Sequence, residues 1–157
     1  MQAELNVSLC EATPDDQDFL FEVYASTRID ELAETGWPDD QKRAFIQMQF
    51  RIRERSYPRV DNHIVLLNGR AIGRMLVDRG TEEIVLRDIA LLTEYRNAGV
   101  GSRLIRDLMK EATGAGKPIM LHVISFSPAV RLYERLGFRQ TGEEAAYLEM
   151  RWFPAAS

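Results

Sequence analysis

The stretch EYRNAGVGSRLI, residues 94–105, decides how the chain is read. Tyr95 and Arg96 precede two glycines, Gly99 and Gly101, and an apolar-periodic run begins at once. Val100, Leu104, Ile105, Leu108, Met109 and Ala112 fall on one helical face, with Ser102, Arg103, Arg106, Asp107, Lys110 and Glu111 on the other. This spacing predicts an amphipathic helix that starts at the glycines and ends near Gly114. Glycine inside a helix costs about 1 kcal/mol relative to alanine. Two of them at a helix start therefore imply either a sharp turn or a ligand that needs bare backbone. The run TEEIVLRDIALL before the loop (81–92) reads as a strand,. A strand, a glycine loop and a helix in that order make an anion site. The first helical turn carries unpaired N–H groups and the positive end of the dipole, and Arg96 can add a bidentate contact. A plain helix N-terminus, with glycines for the turn alone, remains the other reading of the same residues.

Working outward, NVSLCEAT (6–13) alternates as a strand,. TPDDQDFLFEVYAS (13–26) offers Thr13 as N-cap, Pro14 at the first position and acids in the first turn, the marks of a helix start,. ETGWP (34–38) breaks the pattern, and PDDQKRAFIQMQFRIRERSYP (38–58) resumes it with Phe45, Ile46, Met48 and Ile52 as apolar positions. HIVLLNGRAIGRMLVDRG (63–80) is a hairpin turning at Asn68-Gly69,. PIMLHVIS (118–125) is a strand, and SPAVRLYERLGF (127–138) is a short helix with Ser127 as N-cap and Gly137 past its end,. FRQTG (138–142) and AAYLEMRWF (145–153) close as strands. The order β-α-α-β-β-β-α-β-α-β-β is that of a mixed α/β fold around one central sheet, and 157 residues suit a single domain over 1–157,.

Composition narrows the function classes. The chain is 45% hydrophobic and 28% charged, the usage of a packed globular protein,. A net charge of -4 and a pI near 5.3 argue against a dedicated nucleic-acid binder,. The lone Cys10 excludes an internal disulfide and fits a reducing compartment,. The start of the sequence has no basic region followed by an apolar run,. No apolar stretch approaches the roughly 20 residues of a bilayer span. These features predict a cytoplasmic protein with no membrane or nucleic-acid partner. One cysteine and two separated histidines predict no metal site,. Residues 11–40 hold ten acids against Arg28, while residues 41–60 hold six bases against Glu54. Two solvated helix faces account for this, and so does an acidic rim that would attract a cationic amine.

Other glycine patterns fit less well. GVGSRL (99–104) has Leu104 where a dinucleotide fingerprint needs its third glycine,. GAGKP (114–118) lacks the first glycine of a phosphate-binding loop and has Pro118 in place of the metal-binding hydroxyl, so it reads as a helix cap and turn,. No G-x-S-x-G elbow supports a Ser-His-Asp hydrolase,.

Arg96-Asn97-Ala98-Gly99-Val100-Gly101, set between a strand and an amphipathic helix, resembles the R-x-x-G-x-G coenzyme A pyrophosphate loop of the GCN5-related N-acetyltransferases (GNAT). About 30 residues on, SPAVRLYERLGF resembles that family's second signature, a short helix ending L-Y-x-x-x-G-F. The spacing and the element order also match. The resemblance implies a GNAT-like acetyltransferase using acetyl-CoA as acyl donor. It implies pantetheine contacts along Ile89, Ala90 and Leu91, and pyrophosphate contacts at Arg96, Asn97, Ala98, Gly99, Val100, Gly101 and Ser102. Tyr133 matches the general acid for the departing thiolate, while its place on the apolar face with Ala129, Leu132 and Leu136 also explains it as packing. Ser127 stands where the family often has a coenzyme-contacting asparagine, and serves equally as an N-cap.

The resemblance requires a base, since an ammonium must lose a proton before attack. His122, mid-strand, matches a position where some members use glutamate; Asp88 is its rival and Glu94 a weaker one,. His63 has no motif behind it. By position, IDELAETGWPDD (29–40) would line the acceptor pocket through Glu31, Glu34 and Trp37, although Trp37 also suits a core. The function implied is N-acetyl transfer to the primary amine of a small molecule or peptide, by direct attack in a ternary complex. The alternative is a non-catalytic acyl-CoA sensor or scaffold. The terminal strands offer a surface for a possible homodimer.

Overall fold

The computed structural model describes residues 6–56 and 61–155, with the side chains of Asp30, Glu31 and Ser56 outside that description. The expected end of the second helix at Tyr57-Pro58 also lies outside it. The elements are β1 (Val7–Glu11), α1 (Gln17–Arg28), α2 (Asp39–Ser56), β2 (Asp61–Leu67), β3 (Arg70–Arg79), β4 (Ile84–Leu91), α3 (Val100–Ala115), β5 (Ile119–Ile124), α4 (Ala129–Arg135), β6 (Arg139–Glu144) and β7 (Tyr147–Trp152). This is the expected order. Among the described residues seven strands form one sheet, β1-β2-β3-β4-β5-β7-β6, antiparallel except for the parallel pair β4–β5.

Local chemistry fixes the ends of the elements. The Thr13 N–H donates to the Asp16 carboxylate at 2.8 Å, and Pro14 opens a 3-10 turn that leads into α1,. Asn68 and Gly69 both take positive φ, 53° and 82°, which gives the hairpin β2–β3 a type I′ turn,. α3 runs one residue past Gly114 and stops at Gly116, whose φ of 67° admits the left-handed cap,. Lys117 then ties its Nζ to the Gly80 carbonyl at 2.9 Å, so GAGKP is the cap and turn expected.

Two apolar layers flank the sheet. α3 and α4 cover one face with Leu104, Ile105, Leu108, Ala112 and Tyr133, packed on Ile84, Leu86, Ile119, Leu121 and Met150. α1 and α2 cover part of the other with Leu20, Phe21, Tyr24, Ile46 and Phe50 over Ile64. Phe21 and Phe50 meet edge-on at 5.7 Å. The sequence pattern erred on α2: Met48 and Ile52, taken as apolar positions of the helix, are 51% and 58% exposed. Ile46 and Phe50, four residues apart, form the buried stripe, and Met48 and Ile52 project from a different side of the helix. The proposed dimer edge is also revised. β7 is hydrogen-bonded on both sides, to β5 and β6, which leaves β6 as the open edge at that end of the sheet.

Candidate active site

The sheet opens where β4 and β5 separate. Ile84, Val85 and Leu86 pair with Ile119, Met120 and Leu121, and the pairing ends there although both strands continue. The register shift between β3 and β4 lies at the same place: Val77 faces Leu86 and Leu76 faces Asp88, so Arg87 is an extra residue. This bulge bends β4 and reverses its alternation. Before it Ile84 and Leu86 face the α3 layer; after it Ile89 and Leu91 do, which turns Asp88 toward the α1 side. Gly73 keeps β3 close at this point. A Cβ there would lie 2.3 Å from the Ala90 carbonyl oxygen, so the position requires glycine,.

A cleft of about 1380 Å³ fills the split. Its walls include Asp88, Ile89, Ala90 and Leu91 from β4, His122, Val123 and Ile124 from β5, Ser127 and Tyr133 before and on α4, and Arg96, Asn97, Gly99, Gly101 and Ser102 from the glycine loop. The residues singled out in the two signatures thus meet in one cavity. Val100 does not join them, being 1% exposed in the core, and Ala98 is exposed outside the described lining.

The two glycines answer different needs. Gly99 has φ 84°, so it makes the turn into α3,. Gly101 is helical, and an added Cβ would meet nothing within 4 Å. Packing does not explain it. Bare backbone facing an open cleft at a helix N-terminus without a side-chain cap fits a phosphate group,. Arg96 folds its Nε onto the Leu91 carbonyl at 2.9 Å, which fixes its guanidinium beside the loop.

Asp88 and Tyr133 occupy the neck. Burial pushes the Asp88 carboxyl above its ordinary value, against the pull of Arg53, Arg74 and Arg28 and of the Ile89 N–H. The Tyr133 phenol is pushed up to about 12, by burial first and by the Asp88 charge second. It therefore carries its proton throughout the neutral range. Tyr133 also packs on Phe138 at 5.7 Å while lining the cleft. His122 shares the Asp88 face of the sheet; it is 42% exposed, with Nε2 4.0 Å from Glu149. The Ser127 hydroxyl accepts the Ala129 N–H at 3.2 Å, so it caps α4 while lining the cleft.

Several expected residues stand elsewhere. Among the described lining residues neither Glu34 nor Trp37 appears; Trp37 packs edge-on against Phe45 at 5.5 Å, and the Glu31 side chain lies outside the described residues. Glu94 is exposed on the turn after β4, and His63 sits on β2 opposite Met75. Cys10 is exposed on β1, at the sheet edge. Among the described residues, the α1–α2 end of the cleft presents Arg28, Arg53 and Arg74 near Tyr24 and Asp88. Arg53 pairs with Asp88 at 3.3 Å, and Arg74, 3% exposed, pairs with Glu54 and donates its Nε to Asn62. Sequence reasoning missed these arginines. Arg74 inside the apolar run AIGRML and Arg87-Asp88 inside EIVLRDIAL were the available signals, because charge in a central strand is costly unless paired,.

A mixed sheet whose parallel strands part beside a glycine-led helix leaves an open cleft with an anion-binding helix end on its wall,. The sequence model of the Acetyltransferase (GNAT) family matches residues 20–138. The chain belongs to that family. Among solved structures, the PaiA N-acetyltransferase from Thermoplasma acidophilum in complex with coenzyme A is 16% identical, with 94% of this chain and 99% of that one aligned and a TM-score of 0.72. The ribosomal-protein-S18-alanine N-acetyltransferase from Escherichia coli is 18% identical over 96% of each chain, with a TM-score of 0.66. A histone acetyltransferase HPA2 and related acetyltransferase from Corynebacterium glutamicum is 22% identical over 96% and 98%, also at 0.66. At these identities the likeness shows the fold. A search of curated proteins finds no match.

Proposed function

We propose that the protein is an acetyl-CoA-dependent N-acetyltransferase whose acceptor amine attacks the donor directly in a ternary complex. The observation that carries this reading is the β4–β5 split with Asp88 and Tyr133 at its neck and the glycine N-terminus of α3 beside it. Acetyl-CoA supplies a thioester whose acyl carbon is open to attack by a neutral amine. The amides at the start of α3, bared by Gly99 and Gly101, together with Arg96, Asn97 and Ser102, hold its pyrophosphate. The β4 main chain over Ile89–Leu91, past the end of its pairing with β5, receives the pantetheine arm.

Asp88 takes the proton from the acceptor ammonium. Burial raises its basicity, which suits a proton acceptor, and the charges of Arg53, Arg74 and Arg28 oppose that rise,. His122 serves as the rival base from the other side of the split. Tyr133 hands its phenolic proton to the departing sulfur as the C–S bond breaks and the C–N bond forms. The raised pKa keeps the phenol protonated before transfer and makes it a weak acid, so the proton moves only as charge develops on the sulfur,. Ser127, committed to its cap, lends the coenzyme arm at most a second contact through its hydroxyl. The exposed Cys10 thiol takes no part in this chemistry.

The test is calorimetric titration of acetyl-CoA followed by thiol release across a panel of amines. Binding with amine-dependent release supports the reading. Binding without release from any amine identifies the non-catalytic sensor instead, and no binding overturns both.

A further inference from the structure

Resting on the acetyltransferase reading, we infer that the acceptor is a small zwitterion: an amine whose own carboxylate docks on Arg53, in the field of Arg28 and Arg74, while Asp88 receives its ammonium. The α1–α2 end of the cleft argues this through its charges. Arg28 and Arg53 come within 5.0 and 5.7 Å of the Tyr24 ring centroid, so one buried aromatic gathers both guanidiniums at the mouth. Arg74 lies behind them on β3. Arg53 pairs with Asp88 and Arg74 with Glu54, so the Arg53–Asp88 pair is the one whose two charges both line the cleft.

A plain cationic amine that took Asp88 would leave Arg53, 24% exposed, without its carboxylate,. An α-amino acid avoids this. Its ammonium and carboxylate hang from one carbon, so they match charges as close as Arg53 and Asp88, 3.3 Å apart. On binding, Asp88 exchanges Arg53 for the ammonium, and Arg53 exchanges Asp88 for the carboxylate. Every charge keeps a partner and no net charge enters the cleft. The bidentate geometry of a guanidinium suits a carboxylate. Val23 and Val85, also on the walls, leave apolar surface for a side chain.

The experiment compares L-amino acids with their carboxamides, and with spermidine, by thiol release at saturating acetyl-CoA. The carboxylate-bearing member of each reactive pair should show a kcat/KM roughly 10- to 100-fold above its amide, the factor of one charge-assisted hydrogen bond. Arg53→Gln should raise KM for the acid by a similar factor and remove the preference for the acid over its amide, while acetyl-CoA affinity by calorimetry is retained. The wild-type ratio stands on its own should that variant fail to fold. Amides or spermidine acetylated as fast as the acids, or no acid acetylated at all, would overturn the inference. In both cases measured acetyl-CoA binding would keep the coenzyme site intact. Failure of the wild type to bind acetyl-CoA would remove the acetyltransferase reading and this one with it.

Discussion

Gly101→Ala separates ligand from turn, because the two explanations of this glycine predict opposite consequences. The position is helical, and the added methyl meets nothing within 4 Å. Replacing a helical glycine with alanine then lowers the entropy of the unfolded chain and stabilises the fold by about 0.5–1 kcal/mol. In a domain of this size that raises Tm by about 1–4 °C. The same methyl projects into the space where a pyrophosphate would meet the first amides of α3. Displacing one or two charge-assisted hydrogen bonds weakens acetyl-CoA binding by roughly 10- to 100-fold. The variant should therefore be more stable and bind less well. Gly99→Ala is the contrasting control. Its φ of 84° strains any side chain, at about 1–2 kcal/mol, so its Tm should fall,. Calorimetric titration and thermal unfolding on the three proteins give the four differences from wild type that are needed. A stabilised Gly101→Ala that binds acetyl-CoA as tightly as the wild type would refute the phosphate cradle.

The other expectations concern the neck and the split. Tyr133→Phe should lower kcat by about 10²- to 10⁴-fold with acetyl-CoA affinity retained, and unchanged turnover would remove the acid role. Asp88→Asn should abolish most activity and alter the pH dependence of stability. In the wild type the folded carboxyl titrates above 3.8, so the folded state holds its proton longer than the unfolded one. Stability therefore falls as pH rises from 3.8 through the raised folded value and levels beyond it. Urea unfolding of wild type and variant across that range should show this decline only in the wild type, and parallel curves would contradict the burial of Asp88. Gly73→Ala should push β4 off β3, since its Cβ would sit 2.3 Å from the Ala90 carbonyl. A loss of at least about 1–3 kcal/mol in chemical unfolding, with weaker acetyl-CoA binding, is expected,.

The parts legible in the sequence share one property: their cause lies within a few residues. Thr13-Pro14, Asn68-Gly69 and the apolar face of α3 each state their own geometry, so the element order follows from them. The glycine loop was legible for the same reason, because its turn and bare helix start lie on its own backbone. The α1–α2 end of the cleft is assembled from α1, α2, β3 and β4, and no local pattern joins Arg28, Arg53, Arg74 and Asp88. Reading charge by segment gave an acidic first helix and a basic second one, hence a cationic acceptor. The fold divides the charges differently. It sends Glu22 outward to pair with exposed Arg43, where an ion pair adds little, and turns Arg53 and Arg28 inward over Tyr24,. The bulge at Arg87 completes the change by swinging Asp88 from the α3 layer to the arginines. A one-residue insertion in β4 thus moves a carboxylate from one face of the sheet to the other. That shift, invisible to a period-two reading of the strand, sets which charges an acceptor meets.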